Sequence, residues 1–422
     1  MKILVLAGGF DQIALIKELK SRGHIVYLAD YFKNPIAKEY ADKHFQISTL
    51  DENAILNLVI LEKIDLLATA CTDQALMTVA IVSEKLGLPC YISSETARNV
   101  TNKAYMKKKF QQYDIPTAKW ILLEDENACE YELQRDLHYP LIIKPCDCNS
   151  SKGVMKVHNY TELIEAVKKA FHLSRNKKVI VEDLKEGEEI SIDIWKDNEG
   201  TKVLSVSKTS KIKENKDNFT IYQSKYPIEM SDTLIQKIKN TSEKICKAFK
   251  LQNCPVLIQA IIHEDNISII EFSARMGGGS KYKLIEYMSG IDIMKIYVNR
   301  ILGNENQIIH PVWSKKKLEL NYVYAYEGIF NKLSGFKEFV SSGEIKEIFQ
   351  YKSIGSFIEK KITSSDRIIG FLIESETQQE LIKLRRKIIE QVDVLDINGK
   401  SIMYKKCFFD NFFEKEGINI GN

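Results

Sequence analysis

Short apolar runs alternate with helix-period segments along the whole chain. Lys2 to Ala7 is a β-branched and Leu run that Gly8-Gly9 turns into the periodic segment Ile13 to Leu19, which stops at Gly23 before a second strand, Ile25 to Ala29. Ile64 to Ala70 repeats the strand type and is followed by a helical Ala75 to Leu86 closed by Gly87, so residues 1–97 predict a small parallel α/β domain. Further on, the helix period of residues 161–171 leads into the strand Lys178 to Glu182. Glu189 to Ile194 then alternates cleanly: its isoleucines face one way, and Glu189, Ser191 and Asp193 face the other, as in a half-buried strand with a wet face. Residues 313–422 alternate strands and helices again, notably Arg367 to Glu374 before Thr377 to Val392, and carry no catalytic constellation.

Two further apolar runs, Val256 to Ile262 and Ile267 to Ser273, flank the polar tetrad His263 to Asn266 and predict a β-hairpin. A loop of three or five residues sets Gln259 opposite Glu271, with Ser273 on the same face and Ile270 and Phe272 on the other. Three oxygen-bearing side chains then converge beside Arg275 and the glycines 277 to 279. Hard cations such as Mg²⁺ take oxygen ligands and are usually held by one or two carboxylates together with substrate phosphates. An ordinary amphipathic hairpin with a solvated Glu explains the same pattern without a metal.

Composition narrows the setting. At 422 residues the chain needs two to four domains, and its 44% hydrophobic and 28% charged residues are those of a globular protein. The 60 basic and 57 acidic residues leave a net charge of +3, which offers no single-sign field for nucleic acid or a membrane surface. No run approaches the length that crosses a bilayer, and the apolar start is too short for a signal peptide, so the expected location is the cytoplasm. The eight cysteines form no disulfide framework. Cys146 and Cys148, the one close pair, lack zinc-site spacing. Gly8-Gly9 with Asp30 suggests a dinucleotide site, but the third glycine of the fingerprint is missing.

Between Pro140 and Pro145 a four-residue strand delivers Lys144 at its end, where a compact ammonium can serve phosphate oxygens. The next segment, Cys146 to Val154, is small and polar, with Ser150, Ser151 and Gly153, as suits a loop whose N–H groups and hydroxyls fold over phosphates. Thr101-Asn102-Lys103 opens a basic helix, on which Lys107, Lys108 and Lys109 are expected to be a solvated face. Lys208 to Lys225 is expected to be a polar, solvated loop.

Glu271-Phe-Ser273-Ala-Arg275-Met-Gly277 resembles the metal-binding signature of the ATP-grasp superfamily, with Ser273 where the family usually has Asn. The resemblance extends to Lys103 before its helix, to Lys144 with its polar loop, and to Glu182 seven residues before Glu189. It implies an α/β (α+β) fold: a Rossmann-like pre-ATP-grasp domain over residues 1–97, an ATP-grasp domain over 98–312 with a lid near 116–186, and a carboxyl-terminal subdomain over 313–422. It further implies that Lys103, Lys144, Ser150, Ser151 and Gly153 hold the ATP phosphates. Glu182, Asp183 and Leu184 would meet adenine and Glu189 the ribose, with Gln259, Glu271 and Ser273 as ligands of Mg²⁺, for which Mn²⁺ can substitute. The implied chemistry is phosphorylation of a carboxylate to an acyl phosphate and attack by an amine, with Arg275 and Lys144 as catalytic residues. The expected partners are a small carboxylic acid and an amine, without nucleic acid or membrane, in a chain that can form a homodimer. Two alternatives are an enzyme of carbamoyl-phosphate-synthase or carboxylase type acting on bicarbonate or carbamate, and a non-catalytic ATP-binding protein.

Overall fold

The computed structural model describes every residue except 127–136, 149–151, 213–218, 305–310, 361 and 410–422. The chain divides into two compact units, one of residues 1–148, 153–206 and 229–314, the other of 149–152, 207–228 and 315–422.

The first unit begins with the expected α/β segment. Strands β1 (Lys2–Leu6), β2 (Ile25–Asp30), β3 (Lys43–Gln46) and β4 (Leu66–Ala68) pair in the order β3-β2-β1-β4, all parallel. Helix α1 (Phe10–Ser21) joins β1 to β2, α2 (Glu52–Glu62) joins β3 to β4, and α3 (Asp73–Leu86) follows β4. One face of this sheet packs with α1 and with Ile285, Tyr297 and Val298 of the later helices Lys281–Ser289 and Ile293–Ile301; the other packs with α2 and α3. The strands are therefore covered on both sides, which is why they read as continuous apolar runs. Asp30 is spent inside this fold, since its Oδ2 accepts from the Gly8 N–H at 2.6 Å. A Cβ on Gly8 would lie 2.4 Å from Pro35, so the place where a dinucleotide would approach is filled.

Helices α4 (Ser94–Thr101) and α5 (Lys103–Gln112) follow, with Asn102 Oδ1 accepting from the Tyr105 N–H to open α5. Strands β5 (Trp120–Leu123), β6 (Leu141–Pro145), β7 (Met155–Val157) and β8 (Val179–Asp183) form an antiparallel sheet ordered β5-β8-β6-β7. Its core is closed by the amphipathic helix Tyr160–Leu173 through Leu163, Val167 and Ala170. Strand β9 (Glu188–Lys196) pairs antiparallel with β12 (Cys254–His263), and β12 with β13 (Asn266–Ser273). Between β8 and β9, Gly187 runs against β12 so closely that a Cβ there would lie 2.2 Å from the Ile262 carbonyl oxygen, at φ +137°. Only glycine fits that crossing.

The hairpin loop is shorter than the sequence predicts. His263 pairs with Asn266, leaving Glu264 and Asp265 as a two-residue turn, with Glu264 at φ 52°. The register then shifts between Gln259 and Ala260, leaving Ile270 as the extra residue of a β-bulge. Gln259 does pair with Glu271, through the bulge rather than through an odd-length loop.

Strand β10 (Thr201–Lys211) leads into the second unit, where β11 (Ile221–Tyr226), β14 (Lys317–Val323), β18 (Ile369–Ser375) and β16 (Glu347–Gln350) pair antiparallel in that order. Lys208 pairs with Lys225, so the polar stretch expected to be a solvated loop is instead two strand arms, with Tyr222, Gln223 and Ser224 buried. Polar residues on both faces, Lys208, Thr209, Ser210 and Lys211 in succession, hide the strand period. Within this unit Glu319 is fully buried, held by Arg385 Nη1 at 2.6 Å and Gln223 Nε2 at 2.9 Å. A second small sheet runs β17 (Phe357–Ile358), β15 (Gly328–Ser334), β19 (Asp393–Asp396).

Candidate active site

The site is built on one face of β9, β12 and β13. Cross-strand pairing puts Ser191, Gln259 and Glu271 in one row and Asp193, Leu257 and Ser273 in the next. The face expected to be wet is covered: Ser191 is 3% exposed and Asp193 1% exposed. Alternation along β9 identifies which residues share a face, but what lies over that face is a tertiary matter. Ser205 Oγ donates to Asp193 Oδ2 at 2.7 Å, whereas Asp193 Oδ1 and Ser191 Oγ are buried without a hydrogen-bond partner among the described residues.

Lys103, at the start of α5, joins this face. Its Nζ lies 3.2 Å from Glu271 Oε2 and donates to the Cys148 carbonyl at 2.7 Å, at the entrance to the polar loop. Burial by itself would lower the Lys103 pKa, but the Glu271 carboxylate beside it more than offsets that, and the net displacement is upward. Asp147 fixes the base of the loop by accepting from the N–H groups of Arg175 and Asn176, each at 3.0 Å. Gly153 stands at φ 77°, where a Cβ would meet Leu173 at 2.8 Å. Ser150 and Ser151 lie outside the described residues.

Lys144 ends β6 and points at Glu182 of the neighbouring β8, with Nζ 2.6 Å from Oε1. The other oxygen of Glu182 lies 2.7 Å from the Nζ of Lys107. Lys107 is 2% exposed, which corrects its expected place on a solvated helix face. It lies one turn after Lys103 on α5 and also donates to Thr117 Oγ1. Burial pushes the Glu182 carboxyl up, yet the two ammonium groups win and hold it at about 2. Burial dominates for Lys107, whose pKa falls to about 8.

Asp183 and Leu184 carry the chain from β8 towards Gly187 and Glu189. Their N–H groups are already engaged, Asp183 donating to the Lys119 carbonyl at 3.0 Å and Leu184 to that of Pro140 at 3.2 Å. An adenine edge would meet carbonyls here, or exchange for Pro140. Glu189 stands two residues from Ser191 on the same face of β9.

Arg275 is clasped by Asp73, a residue that carries no local sequence signal. Its Nε donates to Asp73 Oδ1 at 2.9 Å, its Nη2 to Oδ2 at 2.6 Å, and its Nη1 to the Met276 carbonyl at 2.8 Å. Burial raises the Asp73 pKa, but Arg275 first and then the Ser273 hydroxyl more than reverse this, and the carboxyl titrates below its usual range. Asp11 accepts from the N–H groups of Gly279 and Ser280 at 3.0 and 2.8 Å. The glycine loop is therefore pinned by two acids, one in the first turn of α1 and one opening α3, both beyond the carboxyl ends of parallel strands, where α/β sheets hold ligands.

Among the described residues no group of three His, Cys, Asp or Glu side chains forms a metal cage. The oxygen set on this face, Gln259 and Glu271 side by side with the unpartnered Ser191 hydroxyl next in the row, fits a hard cation that arrives with phosphate ligands of its own.

Residues 110–298 match the family model described as D-ala D-ala ligase C-terminus. Over 425 residues the chain is 24% identical to the phosphoribosylamine–glycine ligase of Caldanaerobacter subterraneus subsp. tengcongensis, covering 96% of this chain and 99% of that one. Its fold is similar to the L-amino acid ligase from Bacillus licheniformis, with a TM-score of 0.77 at 20% identity over 94% of this chain and 98% of that one. It is similar also to the biotin carboxylase domain of the Hydrogenobacter thermophilus 2-oxoglutarate carboxylase, in complex with MgADP, ADP and bicarbonate, with a TM-score of 0.78 at 14% identity over 99% of this chain and 94% of that one. Together the family model, the relatives and the fold neighbours indicate a member of the ATP-grasp superfamily.

Proposed function

We propose that this ATP-dependent, ADP-forming ligase activates a small carboxylic acid as its acyl phosphate and joins it to an amine, with an amino acid as one of the two substrates. The observation that carries the reading is the pairing of Gln259 with Glu271 on a face that also receives Lys103 and ends at Arg275. The similarity to a phosphoribosylamine–glycine ligase over almost the whole of both chains supports an amino acid substrate.

In this reading Lys103 and Lys144 hold the phosphates, with Ser150, Ser151 and Gly153 closing over them. Glu182, Asp183 and Leu184 border adenine and Glu189 takes the ribose hydroxyls. Mg²⁺ bound with the nucleotide would be held by Gln259 and Glu271, with Ser273 at its edge, and supplies neutralisation of the phosphate charge; Mn²⁺ can replace it. Arg275 offers N–H donors to the charge that grows on the transferring phosphoryl group and then on the tetrahedral intermediate. The reading places its work in the cytoplasm, in a chain that can form a homodimer; among the described residues no helix is long and apolar enough to cross a membrane.

ADP release measured against paired panels of carboxylic acids and amines tests the reading. The expected result is release that requires both members of a pair. Release driven by bicarbonate alone would move the chain to the carboxylase type, and ATP binding without phosphate release under any pair would remove it from the ligases.

A further inference from the structure

We propose that Asp73 is the positioning residue of Arg275, aligning its guanidinium side-on so that the terminal edge stays available to the reacting oxygens. This rests on the ligase reading, in which Arg275 meets the transferring group. A guanidinium has five N–H donors in a fixed fork. Asp73 occupies the Nε and Nη2 side with a two-bond grip, and the Met276 carbonyl takes one donor of Nη1. One N–H on each terminal nitrogen remains. These two donors are left for oxygens of a phosphoryl or carboxylate group.

Asp73 is itself held in place. It is the first residue of α3, and Ile3 to Val5 of β1 pair in register with Leu66 to Ala68 of β4, the strand that feeds this helix. An acid opening a helix is explained by the helix dipole at about 0.3–1 kcal/mol, but the dipole requires no fork with an arginine 202 residues away. The Asp73 side chain is 13% exposed and that of Arg275 16%, so the pair is largely shielded from solvent. Orientation within such a site matters, since misplacement by about 1 Å costs on the order of 10²-fold in rate.

Asp73→Asn keeps the shape of the side chain and offers Nη2 an amide in place of an acceptor oxygen. Turnover with an active substrate pair is expected to fall by about 10- to 100-fold, while KM for ATP and the calorimetric ATP affinity stay at the parent values. Because Asp73 acts through Arg275, the double variant Asp73→Asn/Arg275→Lys should be no slower than Arg275→Lys alone. Parent-like turnover in Asp73→Asn, or losses that multiply in the double variant, would overturn the proposal. The grip is also readable without catalysis. In the parent protein labelled with ¹⁵N-arginine, the Nε–H resonance of Arg275, assigned by its absence from Arg275→Lys, should be protected from solvent exchange. An unprotected Nε–H overturns the positioning role. A parent protein with a protected Nε–H that turns over no substrate pair counts instead against the ligase reading.

Discussion

The Lys107 ammonium lies 2.7 Å from one oxygen of Glu182 while Lys144 lies 2.6 Å from the other, so a single buried carboxylate is shared by two lysines. The three groups carry a net single positive charge in a place where a carboxylate without counter-ions would protonate. Removing the central charge leaves two buried cations facing each other, whereas removing either cation leaves an intact pair. The consequences of the two changes are therefore different in kind.

Glu182 makes stability depend on pH in a definite direction. Its carboxyl titrates at about 2 in the fold against 4.5 for the free side chain. A depressed carboxyl contributes stability that is present above the unfolded value and is lost as pH falls through the folded one. The window runs from about 4.5 down to about 2, and the contribution is on the order of 3 kcal/mol. Denaturant unfolding of the parent protein and Glu182→Gln should show the largest gap near neutrality and a gap that begins to close below about pH 4.5. A gap independent of pH would mean that Glu182 is not held as an anion by its lysines.

Lys107 pulls the other way, since its pKa is lowered to about 8 and its charged form is poorly accommodated. Lys107→Met keeps the stem's volume and removes a desolvated charge, so stability near neutrality should change by less than about 1.5 kcal/mol. The proposed nucleotide site, however, loses the charge that balances Glu182, leaving Lys144 neutralised by its partner. ATP affinity should fall about tenfold, the equivalent of about 1.4 kcal/mol. Calorimetry on the folded variant decides this, and parent-like affinity would make Lys107 a structural lysine only.

How far these features could be read from the sequence depends on the distance over which each is determined. Lys144 was legible because two prolines bracket a four-residue strand, and Glu271 because strand alternation and a following Arg and glycine run are local. Lys107 was not, for in Lys107-Lys108-Lys109 nothing local distinguishes a lysine buried against Glu182 from its solvated neighbours. Asp73 meets Arg275 across 202 residues and Asp11 meets the Gly279 N–H across 268, contacts that only the tertiary fold brings about. The Gln259 and Glu271 pair shows a subtler limit. Alternation fixes the faces of both strands, but the turn length and a compensating bulge at Ile270 are set together, and the sequence does not separate them.

Glu271 pairs across the strands with Gln259 and its carboxylate lies 3.2 Å from the Lys103 ammonium, and in the proposed site it is shared by a phosphate-binding lysine and a cation. Glu271→Gln keeps the hydrogen-bonding shape and removes the charge. ATP titrations of the parent protein should depend strongly on Mg²⁺, and those of the variant should lose most of that dependence. Lys103, freed from its counter-ion, should favour metal-free ATP relative to the parent. Equal Mg²⁺ dependence in both proteins would locate the cation elsewhere.

Arg275 is expected to act in the chemical step and to contribute little to holding ATP. It follows the strand that carries Glu271 and Ser273, and the loop behind it is pinned by Asp11, so its guanidinium is presented from a fixed base. Lysine at this position can still reach Asp73 with one contact, but a point charge with rotating donors does not reproduce two aligned N–H groups on a planar fork. Losing one preorganised donor to developing charge typically costs about 10² to 10³ in turnover, and the contact is made more fully in the transition state than in the ATP complex. Arg275→Lys should therefore bind ATP with nearly parent affinity and turn over about 10²- to 10³-fold more slowly. Single-turnover measurement of ADP formation with a saturating substrate pair separates the two effects: a variant that forms ADP at the parent rate but binds ATP weakly would make Arg275 a phosphate anchor and leave the growing charge to Lys144.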